Sequence, residues 1–160
     1  TIKAQDYNMP LLDKLLEKRV RLVDFECIRE ENIGQRLVAF GKYAGIAGAF
    51  DFLRGCGEFL LQKGHQSPLI YLGSAYMYED YDAMKNALST VSKNISTKGL
   101  PKSESPMVFA VTGTGRVAEG IIEVLECLPH VKIEPSNLQA YLELMKGEEA
   151  TKKNKQIIIS

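Results

Sequence analysis

The sequence predicts an α/β fold with a doubly wound parallel sheet, of which this chain holds an incomplete part. From Pro106 onward, short apolar runs alternate with patterns of helical spacing, and a glycine-rich turn joins the first run to the first helix. The predicted order is strand 107–111, helix 116–128, strand 131–134, helix 137–146 and strand 156–159. This order is one mononucleotide-binding half of a doubly wound sheet, so we expect the chain to be a fragment of a longer protein.

The first hundred residues have less regular patterns. Pro10 suits the first turn of a helix, and Gly99 suits the C-terminal cap of another. The predicted elements are helix 9–19, strand 20–25, strand 37–40, helix 41–64 and helix 79–96.

The predicted helix over 41–64 is unusual because it contains six glycines. Each interior glycine should cost about 0.5–1 kcal/mol relative to alanine. Gly41, Gly45 and Gly48 fall on one face, where another backbone could approach closely. The favoured interpretation is tight helix packing or a hinge between domains, and direct contact with a ligand is the alternative.

Composition excludes several classes of protein. Twenty basic and twenty acidic residues cancel, so no basic excess indicates nucleic-acid binding. No apolar run approaches the roughly 20 residues that span a bilayer. Three widely spaced cysteines (Cys27, Cys56 and Cys127) predict free thiols in a reducing compartment and no metal site.

The motif with the clearest chemistry follows the strand at 107–111. Gly113, Gly115 and Ala118 fit the dinucleotide fingerprint G-x-G-x-x-A. The first glycine permits a sharp turn, the second lets a pyrophosphate approach the backbone, and the alanine lets the helix pack on the sheet. Together with Thr114, Arg116 and Val117, these residues predict a cofactor site at the start of the helix, where the helix dipole favours phosphate.

Glu134 and Arg116 bear on the choice of nicotinamide cofactor. Glu134 lies 21 positions after Gly113, close to where an acid binds the adenosine ribose of NAD. Arg116 could instead pair with the 2′-phosphate of NADP. The local sequence therefore leaves NADP(H) and NAD(H) both open.

Several segments together resemble a known family. They are Thr1-Ile-Lys-Ala-Gln5, Leu22-Val-Asp-Phe-Glu26, Arg36-Leu-Val-Ala-Phe-Gly41, Tyr43-Ala-Gly-Ile-Ala-Gly48, Pro101-Lys-Ser103 and Thr112-Gly-Thr-Gly115. The chain resembles, over essentially its whole length, the lysine–2-oxoglutarate reductase region (saccharopine dehydrogenase, lysine-forming) of the bifunctional aminoadipic semialdehyde synthases. That family belongs to the alanine dehydrogenase/transhydrogenase type of two-domain dehydrogenase.

The resemblance implies an activity and a set of site residues. An NADPH-dependent enzyme of this kind condenses lysine with 2-oxoglutarate to saccharopine in lysine degradation. By resemblance, Lys3 tunes the pKa of a proton shuttle, Glu26 forms an ion pair within the catalytic site, and Arg36 holds a substrate carboxylate. The family's catalytic His and Lys lie upstream of Thr1, so we expect the chain alone to be inactive.

The same resemblance implies a division of the chain. Residues 1–40 would be the C-terminal part of a substrate-binding domain, 41–105 a glycine-rich crossover helix with linker, and 106–160 the first half of a Rossmann domain. The expected partners are small-molecule substrates, without nucleic acid or membrane, and a homo-oligomer is possible. The location would be mitochondrial by resemblance and otherwise cytoplasmic. Two alternatives stay open, an alanine dehydrogenase-like oxidoreductase and a non-catalytic nucleotide-binding fragment.

Overall fold

A computed structural model describes residues 5–145 and 153–160 and divides the chain into two compact units, Thr1–Phe40 and Gly41–Ser160. In the first unit, helix α1 spans Met9–Glu17 with Pro10 in its first turn, as the spacing predicts. No residue between 5 and 40 is buried. Such a short segment has too little apolar surface of its own to form a core.

The strands predicted over 20–25 and 37–40 are wrong. Among the described residues of this unit, the β pairing is one antiparallel bridge, Arg29 with Arg36. Val23 and Phe40 are about three-quarters exposed, at 73% and 75%. A β-favouring pattern forms a strand only where a neighbouring strand takes up its backbone hydrogen bonds, and among the described residues of this unit no strand pairs with 20–25 or 37–40.

The second unit confirms the predicted alternation of strands and helices. Its elements are α2 (Lys42–Gln62), α3 (Tyr81–Lys98), β1 (Met107–Phe109), α4 (Arg116–Glu126), β2 (His130–Lys132), α5 (Pro135–Met145) and β3 (Ile157–Ile159). The fold is α/β, and the three strands form one parallel sheet. Gly99 caps α3 with a φ of +84°, as predicted.

The strand order is β1–β3–β2, so the last strand lies in the centre. Consecutive winding of a mononucleotide-binding half would instead place β2 beside β1. The composition of the strands explains the observed order. β3 is Ile157-Ile158-Ile159, and all three side chains are buried, as suits a strand covered on both faces. β2 contains His130 and Lys132, and charged residues are favoured at a sheet edge.

The core of this unit lies between the sheet and helices α2, α3 and α4. Its largest fully buried side chains include Phe50, Leu53, Leu88 and Val124. In α2, a Cβ on Gly57 would lie 2.5 Å from the amide nitrogen of Ile70, so the following segment packs directly on the helix backbone. No helix in the described part of the chain is long and apolar enough to cross a membrane.

Candidate cofactor-binding site

The glycine turn between β1 and α4 has the backbone geometry that the fingerprint requires. Gly113 has a φ of +93°, a conformation that side chains with a Cβ rarely adopt. Gly115 is the N-cap of α4 with an extended backbone, φ −87° and ψ 178°. A Cβ on Gly115 would meet nothing within 4 Å. Its hydrogen therefore faces open space, where a large group can approach the backbone.

The start of α4 offers amide groups to that space. Glu119 donates the first intrahelical hydrogen bond, to the carbonyl of Gly115 at 3.1 Å. The amides of residues 116–118 precede this bond, and Gly115 has no side chain to cap them. Unsatisfied amides together with the positive end of the helix dipole favour a phosphate ligand.

Helix α2 packs against the backbone of α4 through two glycines. A Cβ on Gly45 would lie 2.9 Å from the carbonyl carbon of Val117, and one on Gly120 would lie 2.9 Å from the amide nitrogen of Ile46. Ala118, the small residue of the fingerprint, is buried. The prediction that the glycines of α2 permit close backbone packing is thus confirmed at Gly45. For Gly48 it is wrong, since a Cβ there would meet nothing within 4 Å.

A polar cluster holds the same helices together at one side. Lys42 of α2 forms an ion pair with Glu123 of α4, and the hydroxyl of Tyr81 in α3 donates to the same carboxylate at 2.7 Å. The hydrogen bonds from Lys42 and Tyr81 lower the pKa of Glu123, and the hydrogen bond to Glu123 raises that of Lys42. Burial raises the pKa of Tyr81 well above its usual value. At neutral pH the Glu123 carboxylate is therefore ionised, and Lys42 and Tyr81 hold it in place.

A mostly apolar pocket of about 330 Å³ lies beside the glycine turn. It is formed by α2, the end of β1 and α4, and its lining includes Gly48, Phe52, Phe109, Thr112 and Val117. Val117 is half exposed. Thr114 is exposed in the turn itself.

The two residues predicted to select the cofactor follow strands that are not adjacent in the sheet. Arg116 begins α4, and its aliphatic stem lies 3.4 Å from where a Cβ on Gly41 would be. Glu134 is exposed just after β2. Because β3 separates β2 from β1, Glu134 lies about 10 Å sideways from the glycine turn, two strand spacings rather than one. Binding of the ribose by Glu134 stays a prediction. The distance between Glu134 and the glycine turn is greater than the sequence spacing implied.

The site residues inferred by resemblance belong to the first unit. Glu26 and Arg36 are brought together, with Arg36 Nη1 3.5 Å from Glu26 Oε2, although ten positions separate them. Glu26 follows Asp24, whose side chain accepts a hydrogen bond from the Glu26 amide at 3.0 Å. Lys3 lies outside the described residues. The roles of all three in catalysis or substrate binding stay predictions.

No metal-binding group of three or more His, Cys, Asp or Glu residues occurs in residues 5–145 and 153–160. His65 Nε2 lies 3.2 Å from Ser103 Oγ and 3.7 Å from Glu104 Oε1. The acid and the hydroxyl thus contact the same ring nitrogen, which is not the arrangement of a nucleophilic triad. His130 Nδ1 contacts the carbonyl of Leu128 at 2.9 Å.

Gly120 and the cluster at Glu123 were missed by the sequence analysis. Gly120 is an interior glycine of the helix predicted over 116–128, and an interior glycine weakens a helix unless its lack of a side chain permits a close contact. This unexplained glycine was the available signal for the contact with α2. Nothing in the sequence links Lys42, Tyr81 and Glu123, because each lies on a different helix.

Comparison with known proteins gives close relatives. The chain is 49% identical over 138 residues to alpha-aminoadipic semialdehyde synthase of Arabidopsis thaliana, covering 86% of this chain and 13% of the relative. It is 42% identical over 139 residues to the mitochondrial alpha-aminoadipic semialdehyde synthases of Mus musculus and Rattus norvegicus, covering 87% of this chain and 15% of each. The chain thus spans about one-seventh of the length of these relatives. No protein-family model matches it.

Proposed function

Because this chain belongs, as a homologous segment, to the alpha-aminoadipic semialdehyde synthase family of lysine-degrading enzymes, we propose that it is part of the region that makes saccharopine from lysine and 2-oxoglutarate. The reductant in this proposal is NADPH, with NADH as the alternative. The observation that supports it best is the turn of Gly113 and Gly115 at the start of α4. Cofactor binding is its first requirement.

The cofactor would lie across the glycine turn. Its pyrophosphate would meet the amides of residues 116–118, where Gly115 leaves the backbone accessible. Arg116 would pair with the 2′-phosphate of NADP, since it begins α4 and presents a guanidinium there. Thr114 and Val117 would line the approach. With NADH as the alternative cofactor, Glu134 would instead bind the ribose hydroxyls from the end of β2. When bound, the nicotinamide supplies the hydride for the reduction.

The substrates require cations and a proton carrier from the protein. The ε-amine of lysine and the keto group of 2-oxoglutarate form an imine with loss of water. Hydride addition to the imine carbon and protonation of its nitrogen then give a secondary amine with three carboxylates. Arg36 would bind one of these carboxylates, with Glu26 fixing one side of its guanidinium. Lys3 would tune the proton carrier by its positive charge.

A non-catalytic nucleotide-binding fragment is the second candidate for the 160-residue chain by itself. It is favoured by the exposure of the first unit, where no residue between 5 and 40 is buried. A substrate site built on such a segment is open to water until further polypeptide covers it. We therefore propose that the 160-residue chain by itself binds the cofactor without catalysing the reaction.

The location proposed is mitochondrial. The relatives from mouse, rat and cattle carry that word in their names, whereas the Arabidopsis relative does not. Fractionation of cells that express this protein would test the location, and recovery of the protein outside the mitochondrial fraction would contradict it.

Calorimetric titration tests the proposed function. The chain, and a chimera in which it replaces the matching segment of the Arabidopsis relative, are titrated with NADPH and with NADH. We expect the chimera to bind NADPH and to consume it when lysine and 2-oxoglutarate are both present. Consumption with alanine or with its keto acid instead would favour the alanine dehydrogenase-like alternative. Failure of the folded chimera to bind either nucleotide would make the glycine turn a purely structural feature.

A further inference from the structure

A pocket on α2, here termed the tyrosine pocket, lies apart from the glycine turn and has no part in the proposed function. Its volume is about 520 Å³, in the usual range for a small-molecule site. It is formed by α2, the turn Ala75–Met77 and the start of α3, and no residue lines both this pocket and the one beside the glycine turn. Its lining includes four tyrosines and two aspartates, which are Tyr43, Tyr76, Tyr78, Tyr81, Asp51 and Asp80.

The tyrosine rings differ in how firmly the chain holds them. Tyr78 packs edge to face on Phe50 with 5.0 Å between ring centroids, and the hydroxyl of Tyr81 donates to Glu123. Contacts outside the pocket therefore fix both of these rings. Tyr76, by contrast, is 87% exposed, although an aromatic ring contributes most when it is covered. The pocket thus combines fixed rings with one that is open to a ligand.

The two aspartates bring negative charge to the same pocket. Asp51 accepts a hydrogen bond from the amide of Ala75 at 2.7 Å, and Asp80 accepts one from the amide of Ala83 at 2.8 Å. Each of these bonds uses one oxygen of the carboxylate and leaves the second for another donor. Among the described residues, neither carboxylate forms an ion pair, and no lysine or arginine lines the tyrosine pocket. The two carboxylates are therefore oriented but not neutralised.

Aromatic faces and carboxylates attract the same kind of group. The face of a tyrosine ring carries partial negative charge, and an ammonium within about 6 Å of the ring centroid is stabilised by it. Lys85 shows this on Tyr81, since its Nζ lies 4.8 Å from the centroid of that ring. Lys85 is itself paired with Asp82 at 2.5 Å and does not line the pocket. The lining thus has the composition of a cation site.

We propose that the tyrosine pocket binds a small organic cation through a primary alkylammonium group. The nitrogen lies beside the tyrosine rings and donates to Asp51 and Asp80, which a quaternary ammonium could not do. The alkyl chain packs on Ile46 and Met84, two buried residues that also line the pocket. A concave site of this size suits one small molecule, whereas a stable protein interface covers about 800 Å² of each partner.

Titration of the 160-residue chain followed by amide NMR tests this inference without reference to activity. The probe is n-butylamine at pH 7, where it is protonated, and 1-butanol is the matched compound with the same chain and no charge. We expect the amides of Ala75, Tyr76 and Tyr78 to shift with the amine, at an affinity about tenfold higher than for the alcohol. Added salt should weaken binding of the amine only.

Variants of the lining separate the charges from the rings. Asp51→Asn combined with Asp80→Asn should lower the affinity for the amine about tenfold. The unfolding midpoint should stay the same, because asparagine keeps the acceptor oxygen of each hydrogen bond. Tyr76→Leu should also weaken binding. Tyr71→Leu is its matched control, since Tyr71 is 69% exposed but does not line the tyrosine pocket.

Three results would overturn the proposal. Equal affinity for n-butylamine and 1-butanol, or no binding of either, would leave the pocket without selectivity for a cation. Unchanged binding of the amine by the double aspartate variant would remove the role of the carboxylates. A dimeric mass by sedimentation that Tyr76→Leu abolishes would show that a second copy of the chain covers this surface. Nucleotide titration of the chimera depends on the glycine turn, so failure of the proposed function is distinguishable from failure of this cation site.

Discussion

Gly45 of α2 lies directly against the carbonyl group of Val117 in α4, so closely that a Cβ on Gly45 would lie 2.9 Å from its carbonyl carbon. Gly120 of α4 makes the reciprocal approach to α2, where a Cβ would lie 3.0 Å from the carbonyl carbon of Lys42. Both neighbours are backbone atoms, which cannot rotate away as a side chain can. The helix that carries the glycine turn is therefore positioned by α2 at backbone level.

Substitution of Gly45 should separate the two helices. Gly45→Ala places a methyl group against Val117, and we expect it to destabilise the chain by about 1–3 kcal/mol, the usual cost of overpacking. Gly48→Ala is the matched control, three residues later in the same helix with open space around its Cα. It should be neutral or stabilise by about 0.5–1 kcal/mol, because alanine favours a helix over glycine. Urea unfolding followed by circular dichroism measures both.

If the two substitutions have equal effects, the close contact at Gly45 does not exist in solution. Gly120→Ala offers a second, independent check from the other helix. Its cost should match that of Gly45→Ala, and the double variant should cost less than the sum, since both changes relax by the same separation.

The titration of Glu123 should appear in the stability of the fold. Hydrogen bonds from Lys42 and Tyr81 lower the pKa of this carboxyl in the folded chain below its ordinary value of 4.5. The folded state therefore binds the proton less well than the unfolded state. The stabilisation is fully present above about pH 4.5 and is lost as the pH falls through the lower folded value.

Glu123→Gln removes this contribution. Urea midpoints measured between pH 7 and pH 3 should fall less steeply for the variant than for the parent. Glu119→Gln, four residues earlier in α4, is the control, since Glu119 acts on Lys42 through its charge alone and less strongly than Glu123 does. A parent and variant with parallel pH profiles would show that the cluster contributes nothing.

In the second unit, the sequence predicted the helices and strands but not the order of the strands in the sheet. Local patterns predicted α2, α3, α4, α5 and all three strands of the second unit, because apolar spacing and glycine caps are local properties. They did not predict that β3 lies between β1 and β2, although the unbroken run of isoleucines over 157–159 is typical of a central strand covered on both faces. This order affects the prediction for Glu134. Its position 21 residues after Gly113 suits ribose binding only if β1 and β2 are adjacent, and β3 separates them.

The first unit shows a different limit. The residues over 20–25 partly alternate as strands do, and 37–40 is a short apolar run. Nevertheless, the β pairing in the described part of this unit is the single bridge between Arg29 and Arg36. Strand formation needs partners that lie outside the pattern itself. The resemblance gave Glu26 an ion pair within the catalytic site and Arg36 a substrate carboxylate, but it did not pair the two with each other. No spacing rule would have joined residues ten positions apart in an irregular segment.

The three cysteines should differ in reactivity. Burial raises the pKa of the Cys56 and Cys127 thiols, and a higher pKa leaves less thiolate at neutral pH. Cys27 is exposed. Iodoacetamide at pH 7.5 should therefore label Cys27 first, as followed by peptide mass spectrometry over time. Labelling in urea is the control, where all three should react alike. Equal rates in the folded chain would contradict the burial of Cys56 and Cys127.

The two glycines of the turn should separate folding from cofactor binding. Gly115→Ala adds a methyl group in open space at a φ of −87°, which alanine adopts readily, so it should cost only about 0.5–1 kcal/mol for a poorer N-cap. The same methyl group would obstruct the pyrophosphate, and we expect NADPH affinity in the chimera to fall at least tenfold. Gly113→Ala should instead cost about 1–2 kcal/mol of stability, because its φ of +93° strains a residue with a Cβ. Calorimetry with urea unfolding on both variants makes the comparison. Unchanged NADPH affinity in a stable Gly115→Ala chimera would place the phosphates elsewhere than at the start of α4.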